Sequence, residues 1–159
     1  MLEVVLVDYA SADHAAALMA LLDHYARDPA GGGQALAPEV LAALPAALAS
    51  RPQAFSVLAF DGEQAVGLVN CFEGFSTFAC QPLVNVHDVV VRASHRGRRV
   101  ARHMLARVED EARRRGACKL TLEVLSGNTS ALRAYEREGF EGYRLDPRFG
   151  TATFMQKKL

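Results

Sequence analysis

The densest chemical signal in the chain is Val89-Val90-Val91-Arg92-Ala93-Ser94-His95-Arg96-Gly97-Arg98-Arg99-Val100-Ala101, where an apolar strand pattern passes through a short loop into a helical one. A helix that starts from such a loop turns free backbone N–H groups and its positive end toward an anion. Arg92, Arg96, Arg98, Arg99, Arg102 and Arg107 fall in the same stretch, with no acidic residue before Glu109. The expected ligand carries phosphate. The loop has neither the G-K-[ST] of a nucleotide P-loop nor the G-x-G-x-x-G of a dinucleotide fold, which disfavours NTP and NAD and leaves some other pyrophosphate.

The elements around this loop can be read from periodicity and punctuation. Val4 to Val7 is a short apolar run, and Ser11 and Asp13 precede an apolar-periodic stretch from His14 to Tyr25, so a strand and then a capped helix are expected. Residues 27–34, with Pro29 and three glycines, form a loop. Pro38 to Ala49 reads as an Ala-rich helix opening on proline, which Pro45 should kink or split. Phe55 to Phe60 and Gln64 to Phe72 flank Asp61-Gly62, a hairpin signal, and Leu83 to Val91 adds the third strand of an antiparallel meander. Val100, Met104, Leu105, Val108 and Ala112 recur at helical spacing between Arg98 and Arg115, and Gly116 stands where a helix stops. Lys119 to Leu125 is a strand. Asn128 opens a further helix with Ala131, Leu132 and Tyr135 on one face, and Gly139-Phe140 closes it. Gly142 to Leu145 and Ala152 to Lys157 read as two closing strands. No repeat, low-complexity tract or domain boundary interrupts the order.

Bulk properties narrow the setting. With 159 residues, half of them hydrophobic, the chain can bury one proper core. Lys plus Arg balances Asp plus Glu at 18 each, so no global field draws it to nucleic acid or an anionic membrane. Cys71, Cys80 and Cys118 are odd in number and include no C-x-x-C pair, which argues against a disulfide framework or a thiolate zinc site. Reduced thiols and no bound metal are expected. The start of the chain lacks a basic run followed by an apolar stretch, and no segment approaches the roughly 18 apolar residues of a membrane span, so a soluble, cytoplasmic protein is expected.

The loop Arg96-Gly97-Arg98-Arg99-Val100-Ala101 resembles the pyrophosphate loop Q/R-x-x-G-x-G/A of the GNAT superfamily of N-acetyltransferases, except that Arg99 stands in place of the central glycine. Asn128-Thr129-Ser130-Ala131-Leu132-Arg133-Ala134-Tyr135-Glu136-Arg137-Glu138-Gly139-Phe140 is similar to the family's N-x-x-A-x-x-x-Y-x-x-x-G-F segment. Motif similarity covers residues 86–143, and the order of elements agrees over the rest. The resemblance implies a mixed α+β, GNAT-like fold in one domain, residues 1–159. Its central sheet would be twisted and mostly antiparallel, with about seven strands and about four flanking helices, splayed at the acetyl-CoA site.

The resemblance also implies roles. Backbone N–H groups of Val89, Val90 and Val91 would hold the thioester carbonyl of acetyl-CoA, and Arg96, Gly97, Arg98, Arg99, Val100, Ala101 and Arg102 would take the pyrophosphate. Arg99 is expected in the first helical turn with negative φ, where the departure from glycine is tolerable; otherwise cofactor affinity should suffer. Tyr135 would protonate the leaving thiolate; as a phenol with pKa near 10 it can give modest assistance. Its other reading, the less favoured of the two, is an aromatic packed beside Leu132. Asn128 reads as a cofactor contact or as a plain N-cap. His87, whose ordinary pKa near 6.5 leaves it able to accept a proton, is a candidate base for a protonated amine, or satisfies a hydrogen bond near the core. Strand alternation puts His87 and Asp88 on opposite faces, so Asp88 supports structure or binds a cationic substrate indirectly.

The acetyl group would pass to an amine, of a small molecule in the first instance, by direct attack in a ternary complex. The acceptor would be bounded by residues 25–34 and by an aromatic loop, residues 72–82, containing Phe72, Phe75 and Phe78, which read at least as well as core residues. A catalytically silent acyl-CoA binder is the alternative. A nucleic-acid module on the Arg92 to Arg115 stripe is weaker, since the chain is neutral and no aromatics interleave with those arginines. The Arg113-Arg114-Arg115 run reads as a solvated face that also favours the helix dipole, or as a site for an anionic partner. A homodimer is compatible with all of these.

Overall fold

Largely apolar strands, the central ones buried on both faces, build one sheet in the order β1-β2-β3-β4-β5, from Leu2–Leu6, Ala54–Asp61, Gln64–Ser76, Gln81–Val91 and Leu120–Leu122. The first four strands pair antiparallel, and β5 runs parallel to β4. The computed structural model describes residues 1–159, and the chain divides into two units, Met1–Leu122 and Glu123–Leu159.

In the first unit, α1 (Ala12–Arg27) begins where Ser11 Oγ accepts the His14 N–H, and α2 (Pro38–Ala49) opens on its proline. Pro45 does not split α2: the helix runs on to Ser50, whose N–H reaches the Ala46 carbonyl, so the loss of one donor is absorbed. Leu18, Leu21 and Leu48 from these helices pack with Leu58, Leu68 and Val90 in one buried cluster. The other face of the sheet receives α3 (Val100–Arg114), which approaches so closely that a Cβ on Gly67 would lie 2.7 Å from Met104 Sδ. Gly116 at φ 74° closes α3, its N–H on the Arg113 carbonyl and the Ala117 N–H on that of Ala112.

The arginine run at the end of α3 is matched inside the chain. Arg113 pairs with Glu109, and Arg114 with the buried Glu111. Arg115 donates to Glu111 at 2.8 Å and Glu73 at 3.1 Å, and lies 4.7 Å over the Phe55 ring, clamping the helix end to the sheet.

In the second unit, α4 (Thr129–Arg137) ends at Gly139, φ 86°, with the Phe140 N–H on the Tyr135 carbonyl. The two closing strands expected at Gly142 to Leu145 and Ala152 to Lys157 are not formed as strands. A single bridge joins Arg144 to Thr151, around a turn at Pro147–Phe149, and Leu145, Phe154 and Met155 are exposed. A strand is held by repeated cross-strand pairs and a buried face, and this segment has one bridge and no buried face. The sheet therefore has five strands where about seven were expected. No helix is long and apolar enough to cross a membrane.

Candidate active site

β4 turns out of the sheet at Arg92, makes one 3-10 turn at Ala93–His95, and reaches α3 through Arg96 to Arg99. Gly97 takes φ 77° and Arg99 φ 63°, ψ 17°. The expectation of a negative φ at Arg99 is thus overturned: it is the N-cap of α3, not part of its first turn, and makes no side-chain cap bond. Closing the loop onto the helix calls for a left-handed residue here, and glycine adopts that conformation without the Cβ clash an arginine meets. Arg99→Gly should accordingly stabilise the fold by about 1 kcal/mol, raising the melting temperature by about 2–4 °C. A lower melting temperature in the glycine variant would contradict this assignment of strain.

The first backbone bond into α3 runs from the His103 N–H to the Arg99 carbonyl at 3.2 Å, so the amides of Val100 and Ala101 reach no backbone acceptor. Arg98 and Arg99 are exposed and have no carboxylate partner, whereas Arg92 Nε donates to the Ala65 carbonyl at 2.8 Å. Arg96 donates to the Val91 carbonyl at 3.3 Å and to Asp28 at 3.4 Å. Open amides with two unpaired guanidinium groups fit a diphosphate.

Beside the loop, β4 has an open edge. Its pairing with β5 covers only Val84, Asn85 and Val86, so His87 through Val91 have no strand on that side. Val89, Val90 and Val91 lie on this unpaired edge. On the other side, Asn70 of β3 lies opposite Asp88 while Cys71 lies opposite Val86, so His87 is the extra residue of a bulge. The expected separation of His87 and Asp88 onto opposite faces therefore fails. Phe72 meets the His87 ring edge-on at 5.3 Å and Asn70 Nδ2 donates to Asp88 Oδ2 at 3.0 Å. Asn70 and Phe72 are two apart on β3, so both contacts lie on the face that carries α1. His87 Nδ1 also lies 3.4 Å from Asn85 Oδ1.

The aromatic segment is not a loop: β3 extends to Ser76 and β4 starts at Gln81, so Phe75 and Phe78 are exposed at a hairpin end, while Phe72 packs on the core cluster. Asn128 Oδ1 accepts the Ala131 N–H at 3.1 Å, an N-cap, and the Tyr135 ring meets Phe140 at 5.8 Å. The first unit thus brings together His87, Val89, Val90, Val91 and the residues from Arg96 to Arg102, and the second holds Asn128 and Tyr135. Asn70 and Asp28 were missed in the sequence. The visible signal for Asn70 was one amide within the apolar run Val66-Gly67-Leu68-Val69-Asn70-Cys71.

Known proteins resemble this chain in sequence or in fold. Streptothricin acetyltransferase of Streptomyces lavendulae is 36% identical over 85 residues, 52% of this chain and 45% of that protein, so the match spans under half of the relative's length. An aminoglycoside acetyltransferase from an uncultured soil metagenomic sample, solved with sisomicin, superposes with a TM-score of 0.80 at 10% identity, covering 99% of this chain and 96% of that one. AAC(6')-Iy, in complex with a bisubstrate analogue joining CoA to acetylneamine, gives 0.79 at 16% identity, covering 100% and 99%. The model of the Acetyltransferase (GNAT) family matches residues 18–140, most of the chain and all of the loop described above, and the chain belongs to that family.

Proposed function

We propose that residues 1–159 act as one GNAT domain that transfers the acetyl group of acetyl-CoA to a small-molecule amine by direct attack in a ternary complex. The observation that carries this reading is the pair of open amides of Val100 and Ala101 at the start of α3, set beside the unpaired edge of β4. Arg98 and Arg99 would add charge to the phosphates, with Arg96 and Arg102 beside them and Asn128 as a further cofactor contact. Backbone N–H groups of Val89 to Val91 would hold the thioester carbonyl. As the amine nitrogen bonds to the carbonyl carbon and the C–S bond breaks, His87 would take the amine proton and Tyr135 would give one to sulfur. Streptothricin and aminoglycosides, the molecules named for the relatives, indicate the acceptor class.

Acetyl-CoA, binding only the folded chain, should raise the melting temperature by about 5–10 °C at a hundred times its Kd, and ATP or NAD much less. No shift in a folded sample would defeat the assignment. The left-handed Arg99 favours one second reading, a catalytically silent acyl-CoA binder. Against a nucleic-acid surface on the same stripe, Arg92, Arg96 and Arg113 to Arg115 are engaged within the chain.

A further inference from the structure

A row of hydrogen bonds crosses the sheet on the α1 side. Tyr9, just after β1, shares a 2.8 Å hydrogen bond with Ser56 on β2. The Ser56 hydroxyl donates to Asn70 Oδ1 on β3 at 2.6 Å, and Asn70 Nδ2 donates to Asp88 Oδ2 on β4 at 3.0 Å. Ser56 is 1% exposed and Asn70 4%, amid the cluster of Leu18, Leu21, Leu58, Leu68 and Val90. A serine hydroxyl has one proton, and this one is used on Asn70, so Tyr9 is the donor in the remaining bond. Every link therefore donates toward Asp88, and the row ends on a carboxylate.

A carboxylate so placed ordinarily has a cation beside it, because an unpaired charge near an apolar core is costly. Asp23, Asp28, Glu73, Glu109, Glu111 and Asp146 each pair with an arginine. Half-buried Asp88 makes no ion pair. Arg115, the cation nearest this part of the sheet, is taken up by Glu111 and Glu73. Burial and then repulsion from Asp88 push the Tyr25 hydroxyl on α1 and the Cys71 thiol on β3 upward, and His87 stands next to it on the bulge. Three polar groups set into an apolar face to hold a carboxylate without a counter-ion need a reason beyond folding, since apolar side chains of similar volume would pack there at no loss.

We propose that Asp88 anchors an ammonium group of the acceptor, so that the enzyme selects cationic amines, and that Tyr9, Ser56 and Asn70 are positioning residues that fix the Asp88 carboxylate. The proposal rests on the acetyltransferase reading above. The bulge sets Asp88 next to His87 on one face, so an ammonium held by the carboxylate keeps its molecule beside the candidate base.

Titration calorimetry with sisomicin, streptothricin and spermidine, and separately with acetyl-CoA, tests this. Asp88→Asn keeps the shape and the bond from Asn70 but removes the charge. It should weaken at least one of the amines about thirtyfold or more, with acetyl-CoA affinity unchanged. Ser56→Ala and Tyr9→Phe should each weaken the same amine by a smaller factor, about threefold, again without changing acetyl-CoA affinity, a split that a purely structural role would not produce. Equal amine affinity in wild type and Asp88→Asn, or no amine binding to wild type, would overturn the proposal. Failure of wild type to bind acetyl-CoA would instead defeat the acetyltransferase reading, which the second titration reports on its own.

Discussion

Glu111→Ala should cost the fold about 3–5 kcal/mol, because it leaves Arg115 beneath the sheet edge without its closest carboxylate and empties a buried position. The Arg114 guanidinium first, and Arg115 after it, hold the Glu111 carboxyl down at about 2. A folded-state value below the unfolded one means that this carboxylate stabilises the native state above the ordinary range near pH 4.3, and that the contribution is lost as pH falls toward about 2. Denaturant unfolding at pH 7 and at pH 3 measures both effects. The gap between wild type and Glu111→Ala should narrow at the lower pH. A difference below about 1 kcal/mol at pH 7 would place the clamp among ordinary surface pairs.

Tyr135→Phe should lower turnover about a hundredfold or more while leaving acetyl-CoA binding nearly intact, since only the donated proton is removed. The ring keeps its edge-on contact with Phe140 in the variant, and a melting curve separates any change in folding from the change in rate. Single-turnover rates, which isolate the chemical step, are the measurement. An unchanged rate would assign Tyr135 to packing alone.

What the sequence made legible were the signals written in local chemistry. Ser11, Asn128, Gly116 and Gly139 sit at the caps where their side chains, or the lack of one, predict. The Asp61-Gly62 hairpin is formed, with Asp61 opposite Gln64. Less legible were features that depend on a partner far along the chain. Period-two reading cannot see one extra residue, so the bulge at His87 reversed the expected facing of its neighbour. The closing strands had an acceptable local pattern, yet strands exist only in pairs, and only Arg144 and Thr151 meet. At Arg99 the missing glycine was visible, but the sign of φ was not, because it is set by how the loop meets α3. Tyr9, Ser56, Asn70 and Asp88 are polar residues on four separate elements, and only the sheet register makes them a row.

The central claim is acetyl transfer to an amine, and release of free CoA thiol from acetyl-CoA, followed with a thiol reagent across a panel containing streptothricin, sisomicin, polyamines and amino acids, tests it most directly. The account predicts release that depends on both protein and amine, with a cationic amine among the best acceptors and an acetylated amine of the expected mass as product. Tight binding of acetyl-CoA without thiol release for any amine would contradict it, and would make the protein a silent acyl-CoA binder whose strained Arg99 marks the loss of catalysis.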